Sequence, residues 1–168
     1  NLFAEQGWLS MPFSEDSGGF GMGPIELSIL FEEFGKALVI EPYLSTVVLS
    51  GTLIDNSSYE HKKDVIERIC SGSLHISLAY AEAKNSYNYN LPSTSLSTDL
   101  LLNGTKNLVL NGGNANKLVV SCIHNEELAL VIVNADKDGI SMNTFPTVDG
   151  QSCAEITFEN VSINSEDV

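Results

Sequence analysis

The residue types that most often carry out catalysis are few and scattered in this sequence. The three cysteines, Cys70, Cys122 and Cys153, form no C-x-x-C pair, and the histidines at positions 61, 75 and 124 show no metal-ligand spacing. We therefore expect no metal site, a small buried thiol at Cys122 within "LVVSCIH", and a reducing, cytoplasmic location. Glu82 follows "SLAYA" and is either a general base or a surface carboxylate; the surface carboxylate is favoured.

Two glycine-containing stretches invite a search for a ligand. "DSGGFGMGP" follows no strand pattern and lacks a Lys-Ser/Thr pair, so we interpret it as a connector between helices rather than a phosphate-binding loop. "LLLNGTKNLVLNGG" holds two Asn-Gly pairs. Asn103-Gly104, between "DLLL" and "NLVL", predicts a type I′ hairpin because both central residues of that turn need positive φ. A further polar turn is predicted at Asn125-Glu126, between "KLVVSCIH" and "LALVIV".

Charge and hydropathy exclude several classes of protein. The net charge is −14, with 22 acidic and 8 basic residues, and Arg68 is the single arginine. Nucleic-acid binding is excluded because phosphate neutralisation needs clustered Lys and Arg. No apolar run reaches the roughly 18 residues that span a bilayer, and no secretory pattern opens the chain. The chain begins at Asn1 without a Met, so we interpret it as a processed chain or a fragment.

The hydrophobic period changes near residue 73, from helical before it to alternating after it. The first helix is predicted to begin at Pro24 and to bury one stripe, Leu27, Leu30, Phe31, Phe34 and Leu38. A second segment from Pro42 is apolar almost all round and should be buried. A third helix has capping-box spacing between Ser57 and Glu60, a buried face at Val65, Ile66 and Ile69, and a terminating glycine at Gly72.

Alternating segments follow, among them "LHISLAY" and "CAEITFENV", at spacings of about 8–12 residues with short turns between them. This pattern is typical of an antiparallel β-barrel or sandwich. The predicted fold class is therefore α+β, with N-terminal helices followed by an antiparallel β-barrel or sandwich domain. We predict a partial N-terminal helical domain at residues 1–73 and a middle β-barrel domain at 74–168.

Four segments, in order along the chain, resemble the acyl-CoA dehydrogenases. "MPFSEDSGGFGMGPIELSILFEEFGKAL" is similar to the loop and helix of the family's N-terminal domain, and "ERICSGSLHISLAYAE" to its crossing into the β domain. "LNGTKNLVLNGG" is similar to the family's "LNGEKxWITNG", and "DGQSCAEITFENVSINSEDV" resembles the close of its β domain. The "LAYAE" and "PTVDG" forms look like the small-subunit or pimeloyl-CoA dehydrogenase-like branch.

The resemblance implies an FAD flavoprotein of fatty acid metabolism that oxidises acyl-CoA to 2,3-enoyl-CoA. In such a reaction a carboxylate base takes the α-proton and the β-hydride goes to the flavin. The family's usual electron acceptor is an electron-transferring flavoprotein, and its full-length members are homo- or hetero-oligomers.

The resemblance also implies site residues. The cofactor would lie against Leu78, Tyr80 and Ala81 on the first strand, and against Leu108, Leu110 and Asn111 on the "WITNG"-like strand. Ser86 and Tyr87 would lie near bound acyl-CoA. The sequence departs from the family at three positions: the family's Thr before Glu is Ala81, its Trp is Leu108, and its following Thr is Leu110.

The family's catalytic Glu lies in a C-terminal helical domain, and Val168 falls where that domain would follow, so no catalytic base is assigned. We hypothesise a fragment of an acyl-CoA dehydrogenase whose base comes from that missing domain. The alternative is a non-catalytic flavin- or acyl-CoA-binding, or scaffolding, subunit of a heteromeric dehydrogenase. A third hypothesis is a plain β-barrel interaction domain, which leaves the helical first third unexplained.

Overall fold

The computed structural model describes residues 2–83 and 88–168. The chain divides into two compact units, Asn1–His75 and Ile76–Val168, which we call the helical unit and the strand unit. The prediction of an α+β fold, with helices first and strands second, is confirmed.

The helical unit contains four α-helices, one π-helix and two short 3₁₀ turns among its described residues. The α-helices are α1 Leu2–Glu5, α2 Pro24–Lys36, α3 Thr52–Asp55 and α4 Lys62–Cys70; the π-helix is Leu44–Gly51, and the 3₁₀ turns are Trp8–Ser10 and Glu15–Ser17. Its core contains aromatic rings, with Phe34 at 5.2 Å from Phe3, 5.3 Å from Tyr43 and 5.9 Å from Trp8 between ring centroids.

Helix α2 begins at Pro24, as predicted. Pro24 suits the first helical position because its missing N–H would have no partner there, and the Glu26 carboxylate accepts the N–H of Gly23 at 2.9 Å. Phe34 is buried, but the predicted stripe is wrong at Leu38, which is exposed at φ +51°. The helix ends at Lys36, so Leu38 no longer follows the helical period.

The segment after Pro42 is helical, but its buried face differs from the prediction. Val47 and Ile54 are buried, whereas Leu44 is exposed, and the other buried residues of the π-helix are Ser45, Thr46, Ser50 and Gly51. A glycine is needed at position 51 because a Cβ there would stand 2.6 Å from the Phe13 ring. The aromatic ring of Phe13 therefore packs directly against the backbone of this helix.

Helix α4 buries Val65, Ile66 and Ile69, as predicted, and Gly72 follows it with a positive φ. The predicted capping box is wrong because the helix begins at Lys62. Ser57 instead closes the preceding helix, donating its hydroxyl to the carbonyl oxygen of Ile54 at 2.7 Å.

The strand unit is a seven-stranded sheet. Its strands are β1 Ile76–Ala79, β2 Ser95–Leu96, β3 Leu101–Leu110, β4 Lys117–His124, β5 Glu127–Asn134, β6 Ile140–Pro146 and β7 Ser152–Ser162. The order is β1-β4-β2-β3-β7-β6, and β5 pairs with β4. The prediction of a purely antiparallel, closed barrel is wrong. Strands β1 and β2 run parallel to β4, and the sheet does not close on itself within the described residues.

The hairpin predicted at Asn103-Gly104 is wrong, because β3 runs through both residues. Gly104 lies at a bulge with φ +147°, and a Cβ there would stand 2.5 Å from the Thr94 hydroxyl oxygen. Asn103 accepts the N–H of Asn160 on β7 at 2.8 Å. The pair therefore serves a close approach inside the sheet. The turn at Asn125-Glu126 is confirmed, with positive φ at both residues.

Candidate functional site

The residues predicted to contact a cofactor lie at the ends of two strands. Leu78, Tyr80 and Ala81 are at the end of β1, and Leu108, Leu110 and Asn111 at the end of β3. These strands are separated by β4 and β2 in the sheet order, yet their ends meet: the N–H of Asn107 donates to the carbonyl oxygen of Ala81 at 2.8 Å. The predicted substrate residues Ser86 and Tyr87 lie outside the described residues.

The alternation of each strand separates its core face from its outer face. Ala79 and Val109 are buried in the core of the strand unit. Leu78 and Tyr80 therefore lie on the opposite face of β1, and Leu110 on the opposite side of β3 from Val109. Leu108 is 61% exposed. The structure thus joins the two strand ends through Asn107 and Ala81 and leaves Tyr80 and Leu108 exposed; we call these joined strand ends the edge.

A β-bulge at the end of β3 determines how Leu108 is presented. The ladder with β7 shifts register between Lys106 and Val109, and Leu108 has φ +52°, a rare conformation for a leucine. Bulges of this kind redirect side chains and are common near active sites. The conformation costs roughly 1–3 kcal/mol, so neighbouring contacts must hold it in place.

Asn107 supplies those contacts and was missed by the sequence analysis. Its Oδ1 accepts the N–H of Ala83 at 3.0 Å, and its Nδ2 donates to the Glu155 carboxylate at 2.6 Å. Together with the backbone bond to Ala81, these bonds join the segment after β1 to the bulge and to β7. In the sequence, Asn107 is a polar residue between Lys106 and two apolar residues of a strand. Because this pattern also occurs in ordinary exposed strands, it does not single out Asn107 as a functional residue.

Asn111 ends β3 in a left-handed conformation, with φ +56°. Its N–H donates to the carbonyl oxygen of Ser152 at 2.7 Å, and its Oδ1 accepts from Asn114. Its buried Nδ2 has no hydrogen-bond partner in residues 2–83 and 88–168. A buried donor without an acceptor costs about 1–3 kcal/mol, so an acceptor oxygen supplied by a ligand at this strand end would be stabilising.

Glu82 forms a buried ion pair with Lys106, so the prediction of a surface carboxylate is wrong. Lys106 is 0% exposed and Glu82 is 6% exposed, and the Nζ–Oε1 distance is 2.7 Å. Burial opposes ionisation of Glu82, but hydrogen bonds from Lys106, Thr94 and the N–H of Ser93 outweigh it and lower its pKa to about 2. Burial also lowers the pKa of Lys106, against the opposing pull of Glu82. A general base needs a pKa near the working pH, so Glu82 does not suit that role.

Two partly exposed tyrosines flank this edge. The rings of Tyr80 and Tyr89 meet edge to face with centroids 5.3 Å apart. Tyr80 directly precedes Ala81, so its ring adds apolar area to the same edge.

Comparison with known proteins points to one family. Residues 1–73 match the acyl-CoA dehydrogenase N-terminal domain. Over 163 residues the chain is 24% identical to acyl-CoA dehydrogenase FadE29 of Mycobacterium tuberculosis (strain ATCC 25618 / H37Rv), covering 92% of this chain and 42% of that protein. A variant of the Tcur3481-Tcur3483 steroid ACAD superposes with a TM-score of 0.85 at 26% identity, covering 95% of this chain and 44% of that one. The FAD complex of PigA superposes with a TM-score of 0.87 at 16% identity, covering 99% of this chain and 48% of that one.

Residues 1–73 belong to the acyl-CoA dehydrogenase N-terminal domain family, and the comparisons together support an acyl-CoA dehydrogenase family fragment.

The chain spans less than half the length of each of these three proteins. The three departures from the family motif that the resemblance indicates, at Ala81, Leu108 and Leu110, lie at the edge described above. Ala81 and Leu110 replace hydroxyl residues, and Leu108 replaces an aromatic ring.

The potential metal ligands and the buried thiol offer less chemistry than this edge does. No group of three potential metal ligands occurs in the part of the chain that the structure describes. Cys122 is fully buried, as predicted, and burial raises its pKa to about 11 despite nearby Lys106.

None of the described helices is long and apolar enough to cross a membrane.

The helical unit holds a cavity of about 330 Å³. Its lining includes Tyr43, Thr46, Val47 and Ile69. The Thr46 hydroxyl is buried and has no hydrogen-bond partner among the described residues, whereas the Ser50 hydroxyl of the same π-helix donates to the carbonyl oxygen of Ser45.

Proposed function

We propose that the edge formed by Leu78–Ala81 and Leu108–Asn111 is the strand-unit side of an FAD site in an enzyme that oxidises acyl-CoA to 2,3-enoyl-CoA. The observation that carries this proposal is the hydrogen bond from Asn107 to Ala81, which joins the two segments that the family resemblance assigns to the flavin. The PigA complex supports the fit at the level of the fold.

The side chains at this edge fit a flat aromatic cofactor. Leu78, Tyr80 and Leu108 offer an apolar wall, and the Asn111 Nδ2, which has no acceptor among the described residues, offers a donor for a ring carbonyl. The flavin would supply hydride acceptance, and the chain would orient it and exclude water from one of its faces. The hydroxyls absent at Ala81 and Leu110 leave this orientation to backbone groups and to Asn111.

The proposal assigns the catalytic base outside these 168 residues. Glu82 follows the flavin-facing segment directly, but its carboxylate is committed to Lys106, Thr94 and Ser93, and its low pKa makes it a poor proton acceptor. The family relatives are more than twice as long as this chain, which leaves room for a base elsewhere. We propose an electron-transferring flavoprotein as the electron acceptor, on the family resemblance.

A second candidate is a flavin- or acyl-CoA-binding subunit without catalytic activity of its own. The replacements at Ala81, Leu108 and Leu110 favour it, since they remove polar and aromatic contacts that the family motif provides.

The two candidates are separated by titrating the complete gene product with FAD and then adding acyl-CoA without oxygen. FAD binding followed by loss of its visible absorbance supports the enzyme, and binding without that loss supports the second candidate. Failure to bind FAD, alone and with its co-purifying partners, contradicts both flavin proposals.

A matched pair of variants tests the location of the site. Leu108→Asp should raise the Kd for FAD at least about tenfold, since it places a charge against the flavin. Leu128→Asp, at an exposed position on β5, should leave the Kd unchanged, since β5 pairs with β4 and carries none of the proposed flavin-contacting residues. Equal effects of the two substitutions would show that the flavin lies elsewhere.

A further inference from the structure

The buried Glu82–Lys106 pair has no part in the proposed chemistry, yet it lies beside both flavin-facing segments. A fully buried ion pair is a costly way to fill a core, because apolar side chains of similar volume often give equal or greater stability. Its location therefore calls for an explanation other than stability.

The pair joins four separate parts of the strand unit. Glu82 accepts the N–H of Ser93 at 2.6 Å, and both the N–H and the hydroxyl of Thr94, at 3.0 and 2.7 Å. Lys106 donates to Glu82 at 2.7 Å and to the Ser121 hydroxyl on β4 at 3.0 Å. These directional bonds fix the segment after β1 relative to β3, β4 and the residues that precede β2.

A second connection runs alongside the ion pair. Glu82 directly follows Ala81, and Lys106 directly precedes Asn107, the two residues joined by the backbone hydrogen bond. Leu108 and its left-handed backbone come next. Any shift of Glu82 relative to Lys106 must therefore move Ala81 relative to the bulge.

We infer that Glu82 and Lys106 are positioning residues that hold Ala81 and the Leu108 bulge at the spacing that the flavin requires. They act through these neighbours and do not touch the cofactor. This inference rests on the proposed flavin site. Small displacements of groups that orient a reactant reduce rates strongly, so a rigid buried pair at this place has a functional use.

The test removes both charges together, in the complete gene product. Glu82→Gln/Lys106→Met leaves no unpaired buried charge, and its folding is checked by far-ultraviolet circular dichroism and a cooperative urea transition. The matched control is Glu33→Gln/Lys36→Met, which removes an exposed ion pair on α2.

The first readout is amide hydrogen exchange in the absence of FAD. We expect the Asn107 amide to exchange at least about tenfold faster in the core double variant, with the amides of β5 unchanged. The second readout is the cofactor itself: the Kd for FAD should rise about tenfold, and the visible circular dichroism of bound FAD should change. The control variant should match the wild type in every measurement.

A folded core double variant with unchanged Asn107 exchange and unchanged FAD binding would overturn the inference. If the wild type binds no FAD, the proposed site fails, while the exchange measurement still decides whether the pair fixes Ala81 against Asn107. If the double variant does not fold, Thr94→Val removes only one donor to Glu82. It should then raise Asn107 exchange about threefold, and no change there would also overturn the inference.

Discussion

Gly104 and Thr94 are in direct contact: a Cβ on Gly104 would stand 2.5 Å from the Thr94 hydroxyl oxygen and 2.7 Å from its Cα. Thr94 uses that hydroxyl and its N–H to bind Glu82. The absence of a side chain at Gly104 therefore determines how closely the residues before β2 approach β3. Gly104 also has φ +147°, which an L-residue rarely adopts.

Gly104→Ala should therefore destabilise the protein by about 2 kcal/mol or more, through overpacking and backbone strain. The measurement is the free energy of unfolding from urea titration. Gly35→Ala is the matched control, because Gly35 lies in α2 with open space around its Cα, and alanine there should stabilise by about 0.5–1 kcal/mol. Similar effects of the two substitutions would show that the contact with Thr94 is unimportant.

These contacts show what the sequence could reveal of the fold. Alternation and helical periodicity identify most strands and helices, because they report which face of an element is buried. The Asn-Gly pair at 103–104 misled the prediction, because glycine at a turn and glycine at a close approach have the same local sequence. Thr94 is distant in sequence, and no local pattern indicates that it packs against Gly104.

The cofactor site stays a prediction, and its parts follow from the sequence to different degrees. The family resemblance selected the strand ends that carry Ala81 and Leu108, and the structure joins them. Glu82 was misassigned because burial of a carboxylate depends on its partner, and Lys106 lies on another strand. The role of Asn107 depends on a register shift, which arises from the pairing of β3 with β7.

The Asn107 side chain offers a second prediction. Asn107→Ala removes bonds to Ala83 and Glu155, so we expect a loss of about 1–2 kcal/mol in stability and a several-fold rise in the Kd for FAD. Asn103→Ala is the control, since Asn103 also bonds across to β7 but lies at the other bulge. It should lose stability to a similar extent while keeping its FAD affinity. A loss of FAD affinity in both variants would indicate general destabilisation.

Acid unfolding should depend on Glu82. Its pKa is about 2 in the folded protein against an ordinary value of 4.5, so its ionised form favours folding. This contribution is fully present above about pH 4.5 and is lost as the pH falls towards about 2, because the unfolded chain binds the proton first. Urea titrations across that interval should show a shallower pH dependence for Glu82→Gln/Lys106→Met than for the wild type. Equal slopes would contradict the assigned pKa.

The thiols should react slowly while the protein is folded. Burial raises the pKa of Cys122 to about 11, and it raises the pKa of Cys153 as well, so little thiolate forms at either residue near neutral pH. Cys70 is half-buried, also has a raised pKa, and should be the first thiol to react. A time course with a disulfide reagent, followed by peptide mass spectrometry, gives the order. Early labelling of Cys122 in the native protein would contradict its burial.

The hydroxyls of Thr46 and Ser50 give a matched pair on one π-helix. Both are buried, but Ser50 donates to the Ser45 carbonyl oxygen at 2.8 Å, and Thr46 has no hydrogen-bond partner within the described residues. Ser50→Ala should therefore cost about 1 kcal/mol, the net value of a lost hydrogen bond. Thr46→Val keeps the shape and removes an unsatisfied polar group, so it should be neutral or stabilising by up to about 1 kcal/mol. Urea unfolding of the complete gene product measures both. A loss for Thr46→Val equal to that for Ser50→Ala would show that the Thr46 hydroxyl has an acceptor in the assembled protein.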